Sequence, residues 1–384
     1  QGAVFGEKLG WERPNWFADL ATGEKPEDVY TFGRPNWFEA VGREHRATRE
    51  RVALFDQTSF AKFMMAGRDA EAALSWIAAN DVAKAPGVLT YTQMLNVRGG
   101  IECDLTVARL ADDTFYIVTG TGFANHDFDW IRRNIPAGLD ARLTDVSEKY
   151  SVLALMGPRA RDTLSVATSD DVSNAAFPFA QCRRLTVAGA DAIALRVTYV
   201  GELGWELHVP IDSAASVYDR LMEAGRPHGI VNAGYRAIET LRLEKGYRAW
   251  GADIGPDHSP LMAGLGWAVK LKREIPFLGR EALKEQQKRR LPRLLACFTV
   301  DDPAVVLLGR ETIFRNGQRV GWLTSAGFGH TVQKSIGYGY VRDPENGVDA
   351  DQVLSGAYEL EVATERVPAS VSLMPLYDPG MTRI

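Results

Sequence analysis

The sequence predicts an α+β protein that ends in a small closed β-domain. Three observations carry that expectation: apolar strand-like runs alternate with amphipathic segments, hairpin signals interrupt the alternation, and beyond Pro292 only short strand-like runs remain. With 384 residues, 46% of them hydrophobic and 24% charged, the chain can build two or three cores. A formal net charge of −5 gives no basic field to draw nucleic acid or an anionic membrane, so small ligands are the expected partners. No run of about 18 apolar residues occurs, so no membrane span is expected. Cys103, Cys182 and Cys297 are far apart in sequence, which suits reduced thiols in a cytoplasm or mitochondrial matrix. The histidines form no H-x-x-x-H pair and have no close cysteine, so no metal site is expected.

Residues 1–38 contain Arg-Pro-Asn-Trp-Phe twice, at Arg13–Phe17 and Arg34–Phe38, around a polar, turn-rich stretch. The segment has little periodicity but many aromatic residues, which predicts an extended strap pinned to a domain surface. Its start at Gln1, without an initiator Met, reads as a piece of a longer polypeptide.

Residues 39–285 form the next region. Glu39–Val52 reads as a helix with Glu44, His45, Arg46, Arg49, Glu50 and Arg51 as its charged face. A strand is predicted at Phe60–Ala66 and a helix at Arg68–Ala79. Tyr91–Leu95 and Leu105–Val107 flank the turn Gly99-Gly100, a hairpin signal. Further strands are predicted at Phe115–Thr119, Val152–Met156, Leu185–Val187 and Ala192–Thr198. Helices are expected at Asn125–Asn134, Arg159–Ala167, Ser213–Ala224, across Gly234–Arg248 with closure at Gly246, and from Gly279. The charge cluster Lys284–Arg290 reads as a linker to residues 286–384, the small β-domain, where Asn316-Gly317 marks a hairpin.

Two stretches present carboxylates in apolar strands. In Gly99-Gly100-Ile101-Glu102-Cys103-Asp104-Leu105, alternation puts Glu102 and Asp104 on one face and Cys103 on the other. Asp104 either satisfies backbone N–H groups of the turn or awaits a ligand. In Tyr199-Val200-Gly201-Glu202-Leu203-Gly204-Trp205-Glu206-Leu207, Glu202 sits in the turn, and Glu206 faces away from Trp205 and Leu207, toward solvent or toward a ligand. Arg236, Arg242, Lys245 and Arg248 could pair with substrate carboxylates or simply offset a helix dipole. No GxGxxG, Walker A or GxSxG sequence occurs, so dinucleotide or ATP binding by those devices is not expected.

Together, Gly99–Val107, Tyr199–Leu207 and Thr240–Trp250 resemble the folate-binding fold of the glycine-cleavage T-protein (aminomethyltransferase) family. More closely they are similar to the C-terminal half of sarcosine and dimethylglycine dehydrogenases, with Phe5–Phe17 resembling the handover from a flavin domain. Tyr91–Asn96, Leu164–Phe179 and Pro276–Leu283 favour the sarcosine enzymes. The resemblance spans nearly the whole chain and implies a three-domain cloverleaf with a C-terminal barrel-like domain and tetrahydrofolate in a central channel. It assigns the pterin amino edge to Glu206 with Tyr199 beside it, and Glu202 as the other candidate. It places Asp104 at the N5 and N10 end as general base and electrostatic catalyst, with Tyr91 nearby.

The implied reaction is one-carbon transfer from the imine or formaldehyde unit of a small methylated amine to tetrahydrofolate, giving 5,10-methylenetetrahydrofolate. FAD belongs only to an upstream FAD-binding oxidoreductase domain, so no oxidation is expected from these residues alone. Two departures stand out. Cys103 replaces the first of the T-protein's paired aspartates, and Ile238 stands where the T-protein has Arg, which puts transfer from a protein-bound lipoyl arm in doubt. The alternatives are a free-standing tetrahydrofolate-dependent aminomethyl or methyl transferase and a folate-binding scaffold without turnover.

Overall fold

The computed structural model describes residues 1–384. Where a strap was expected, the chain folds as a hairpin of β1 (Ala3–Lys8) and β2 (Trp11–Phe17) followed by an irregular stretch. Pro14 hides the strand in the sequence, because an edge ribbon tolerates the missing donor while the alternation around it is weak. Trp16 is buried, and its indole N–H donates to Asp28, which also takes both Arg236 nitrogens at 2.7 Å. Each copy of the repeated pentapeptide lays its arginine on a ring. Arg13 lies 3.8 Å from the centroid of Tyr235, and Arg34 lies 4.2 Å from that of Phe38.

In α1 (Phe38–Glu50), Glu44, His45 and Arg49 are buried rather than part of a solvated face. Burial is possible because each is paired. Arg49 donates to the carbonyls of Val200 (2.6 Å) and Leu241 (3.2 Å) and to Glu202 and Glu244, both at 3.1 Å. Glu44 accepts the backbone N–H groups of Phe17 (2.6 Å) and Gly234 (2.9 Å), and burial pushes its carboxyl up to about 8.

Two layered halves follow. The first comprises β4 (Ala61–Ala66), α2 (Ala70–Ile77), β5 (Leu89–Leu95), β6 (Ile101–Ala111), β7 (Thr114–Thr119), α3 (Ala124–Asn134) and β8 (Arg142–Asp145), reached through β3 (Ala53–Asp56). Its antiparallel sheet runs β5-β6-β7-β4-β8, and α2 and α3 cover one face, with Leu74 and Ile131 packed on Phe63, Met65, Leu105 and Phe115. The second half contains β9 (Tyr150–Met156), α4 (Ala160–Ala167), β10 (Cys182–Val187), β11 (Ala190–Leu195), β12 (Gly204–Pro210), α5 (Ala214–Gly225), β13 (Val231–Ala233) and α6 (Tyr235–Lys245). With β3 these strands form the sheet β10-β11-β12-β9-β3-β13, whose outer face packs Leu155, Trp205, Leu207 and Val209 beneath Leu164, Val217 and Leu221.

Both halves turn from strand to helix by the same device. Gly67 (φ +138°) and Gly157 (φ +130°) each precede a helix, and a Cβ there would lie 2.2 Å from the Asp140 carbonyl oxygen or 2.5 Å from that of Arg51. Only glycine meets both the backbone angle and the close approach.

After α7 (Arg280–Gln287), which occupies part of the expected linker, comes a closed barrel. Its strands are β14 (Arg293–Val300), β15 (Thr312–Arg315), β16 (Gln318–Gly329), β17 (Lys334–Arg342), β18 (Tyr358–Val362) and β19 (Glu365–Ser372), with α8 (Ala350–Leu354) before β18. Closure follows the order β14-β17-β16-β15-β18-β19, and Asn316-Gly317 (φ 51° and 78°) turns β15 into β16 as the sequence predicts.

The two large sheets meet along a seam. Leu89, Ala108, Tyr116 and Val118 of the first pack against Cys182, Ile193 and Leu195 of the second. Strand register therefore decides which other side chains face the seam. Asp104 and Thr106 lie on the Ala108 side of β6, opposite Gln93 and Tyr91. Glu206 pairs with Leu195, and His208 with Ile193, so both face the seam from the other sheet.

Candidate functional site

The hairpin turn leaves Asp104 free. Asn96 Oδ1, not Asp104, takes the N–H groups of Arg98 and Gly100 at 3.0 Å each, and Gly99 supplies φ +83°. Asp104 Oδ1 accepts from the Tyr91 hydroxyl (2.6 Å) and Gln93 Nε2 (2.9 Å), while Oδ2 accepts from no protein group. Burial pushes this carboxyl up to about 6; Gln93 and Tyr91 pull it down, and Asp127 adds to the rise. Burial beside Asp104 also raises the Tyr91 phenol well above its ordinary value, so it stays a donor. The Tyr91 ring stacks at 5.6 Å on Trp267, which is 65% exposed. Trp267 sits in a short 3₁₀ turn without periodicity, and no sequence signal marks it.

Tyr199 donates to the Arg248 carbonyl at 3.0 Å and stacks on Tyr247 at 5.8 Å. The charges of Asp104 and Arg248 act on one another and on Tyr91, and Asp104 also acts on Tyr199, which puts these four groups in one neighbourhood. Arg248 differs from its basic neighbours. Arg236 is held by Asp28, Arg242 by Asp253 and Glu239, and Lys245 by Asp378, all at 2.7–2.9 Å. Arg248 bonds only the carbonyls of Ala263 (3.0 Å) and Gly246, with no carboxylate partner. Its guanidinium is the one of the four basic groups still open to an anion.

Glu206 is buried at 7% exposure, which removes the solvent-facing alternative, yet it accepts no hydrogen bond from the protein. His208 Nε2 lies 3.7 Å from its Oε2. Tyr199 packs in the same cluster as Ala154, the cross-strand neighbour of Glu206. The carboxylate has no protein donor, so the residue suits a ligand that brings N–H groups to it.

Glu202 lies in a different network. Its Oε1 takes Arg49 at 3.1 Å and the Tyr377 hydroxyl at 2.6 Å, tying α1 to the segment after the barrel. The structure thus gathers Asp104, Tyr91 and Tyr199, faces them with Glu206 across the seam, and gives Glu202 a structural ion pair. Behind β6, Cys103, His126 and Asp127 bring three potential ligand atoms within 4.8 Å of one another. Two of the three are already engaged: Asp127 takes Thr119 at 2.5 Å and His126 at 2.9 Å.

Comparison with known proteins agrees with this architecture. Residues 1–273 match the GCVT N-terminal domain, and residues 293–378 match the glycine cleavage T-protein C-terminal barrel domain. The chain is 42% identical over its whole length to mitochondrial sarcosine dehydrogenase of Mus musculus, of which it spans 46%. It therefore covers about half the length of such curated relatives. An aminomethyltransferase of Anoxybacillus flavithermus is 32% identical over 92% of this chain and 95% of its own. The crystal structure of glycine cleavage system aminomethyltransferase T from Bartonella henselae superposes with a TM-score of 0.82 at 27% identity, covering 98% of this chain and 95% of the other. On its two sheets, its closed barrel and these matches, the chain belongs to the glycine cleavage T-protein family and is homologous to the T-protein-like C-terminal half of sarcosine and dimethylglycine dehydrogenases.

Proposed function

We propose that this chain is the tetrahydrofolate-binding, one-carbon-accepting module of a sarcosine dehydrogenase-like enzyme, in which the imine or formaldehyde unit of an N-methylated amine ends as 5,10-methylenetetrahydrofolate. The observation that carries the reading is the placement of two carboxylates on facing sheets of one seam, with Glu206 buried and without a protein donor. A pterin carries an N–H and an amino group side by side, a donor pair that one carboxylate accepts with both oxygens. Glu206 would hold that edge with Tyr199 beside it, and Asp104 with Tyr91 would attend the other end of the cofactor.

Tetrahydrofolate supplies, when bound, the secondary amines that take up the one-carbon unit. The chain's own residues do the rest. Tyr91 and Gln93 fix Asp104 through Oδ1 and leave Oδ2 to accept a proton and to stabilise positive charge arriving with the carbon unit. Arg248 offers its guanidinium to the carboxylate of the amine substrate. Oxidation of the amine would take place on a separate FAD-binding domain.

Titration with tetrahydrofolate, read by tryptophan fluorescence, tests the reading. Wild type should saturate and Glu206→Gln should bind at least about tenfold more weakly, the loss expected when a charged acceptor is removed. A wild-type protein that gives no saturable signal, or a Glu206→Gln variant that binds equally well, overturns it. The match to a full-length aminomethyltransferase favours a second reading, a free-standing transferase. Faster turnover with a lipoyl-borne aminomethyl donor than with formaldehyde would select it.

A further inference from the structure

Across the seam, His208 of β12 stands between a tyrosine of the opposite sheet and the carboxylate on its own strand. Its Nδ1 lies 2.9 Å from the Tyr116 hydroxyl, the two rings meet edge to face at 5.2 Å, and its Nε2 is buried without a hydrogen-bond partner. Glu206 Oε2 lies 3.7 Å from that orphaned nitrogen, just beyond hydrogen-bond reach. Resting on the reading of Glu206 given above, we propose that His208 is a positioning residue for Glu206. A neutral imidazole is held by Tyr116 in the tautomer that points Nε2–H at the carboxylate, and it closes that bond when a ligand draws Glu206 into place.

The surroundings fix the charge and tautomer. Four titratable groups face the imidazole or the elements packed on it: Glu206, Tyr116, Tyr150 and Lys62. Lys62 is fully buried and gives its ammonium to the carbonyls of Thr58 (2.9 Å) and Tyr150 (2.8 Å) rather than to a carboxylate. Its charge and, more strongly, burial both keep His208 below its usual titration range, with Glu206 opposing. Burial holds the Tyr116 phenol protonated. In the other tautomer an Nε2 lone pair would face a carboxylate, which repels it, so the hydroxyl donates to Nδ1 and the N–H is left for Glu206. In metal sites the converse pair, a carboxylate or carbonyl that orients a histidine through its second ring nitrogen, costs about 10–100-fold when it is lost. Here the anchor, Tyr116, lies on the partner sheet, so the orientation of Glu206 depends on how the two sheets are joined.

Tetrahydrofolate binding to wild type, Glu206→Gln, His208→Phe, His208→Gln and Tyr116→Phe tests this. His208→Phe should weaken binding about tenfold, because the bound carboxylate loses its donor. His208→Gln retains an N–H near the same place and should stay within about threefold of wild type. Tyr116→Phe should fall between them. Equal losses in His208→Phe and His208→Gln would mean packing alone and overturn the proposal, as would an unchanged His208→Phe. If instead wild type fails to bind, or Glu206→Gln binds normally, the reading of Glu206 itself fails and takes this inference with it.

Discussion

At Asp104 burial works against charge, and the balance sets both a chemical and a thermodynamic expectation. Burial pushes its carboxyl up to about 6 in the fold, from an ordinary 3.8. Between those values the native state holds a proton that the unfolded chain has released, so stability falls as pH rises through that window and the deficit is complete above it. Asp104→Asn should therefore raise the melting temperature at pH 7.5, by the equivalent of roughly 1–3 kcal/mol, and give no gain near pH 3.5. The same variant should lose methylene transfer while still binding tetrahydrofolate, as calorimetry and a formaldehyde condensation assay would show. In the wild type, transfer should rise with pH through 6 as the carboxylate ionises. That Asp104 and Glu206 were worth attention was legible in the sequence, since an acid in an apolar strand beside paired glycines is a local pattern. His208 was half legible, two residues beyond Glu206 on the same face. Its partner Tyr116 was not, because only the stacking of two sheets brings them together. Trp267 and the open guanidinium of Arg248 depend on loop geometry, which no spacing records.

Among the elements, α1 shows how composition misleads. Six charged residues in a row of turns read as a wet face, but three of them fasten the helix to its neighbours from inside. Glu44 joins β2 and the start of α6 through two backbone N–H groups. Because burial pushes its carboxyl up to about 8, well above the ordinary 4.5, the wild type should lose stability as pH climbs from about 5 to beyond 8, whereas Glu44→Gln should be flat from about pH 7 upward, beyond the range in which Asp104 titrates. Glu44→Ala leaves two buried donors unmet and should cost about 2–4 kcal/mol in urea unfolding. Arg49→Met strands Glu202 and Glu244 without their common partner and should cost about 3–5 kcal/mol, more than any exposed ion pair would. The hairpin at the N-terminus escaped sequence reading for the converse reason: its strands carry Pro14 and mixed polarity, and what stabilises them is the tertiary burial of Trp16.

On the scale of the whole molecule, the layers and the barrel were legible because period-two runs, glycine turns and an Asn-Gly hairpin are local signals that agree with the global packing. The order of strands within each sheet was not, since β3 and β13, four and three residues long, become meaningful only as members of the second sheet. The seam has one more implication. Glu206 and Asp104 belong to sheets that separate when the chain unfolds, so a molecule that engages both acts as a removable rivet between the halves. Its grip adds to the free energy of unfolding by RT ln(1 + [L]/Kd), about 2.7 kcal/mol at a hundredfold excess over Kd. Melting followed across a tetrahydrofolate series should rise with the logarithm of concentration in wild type, and in the double variant Asp104→Asn, Glu206→Gln the rise should begin only at concentrations at least about tenfold higher.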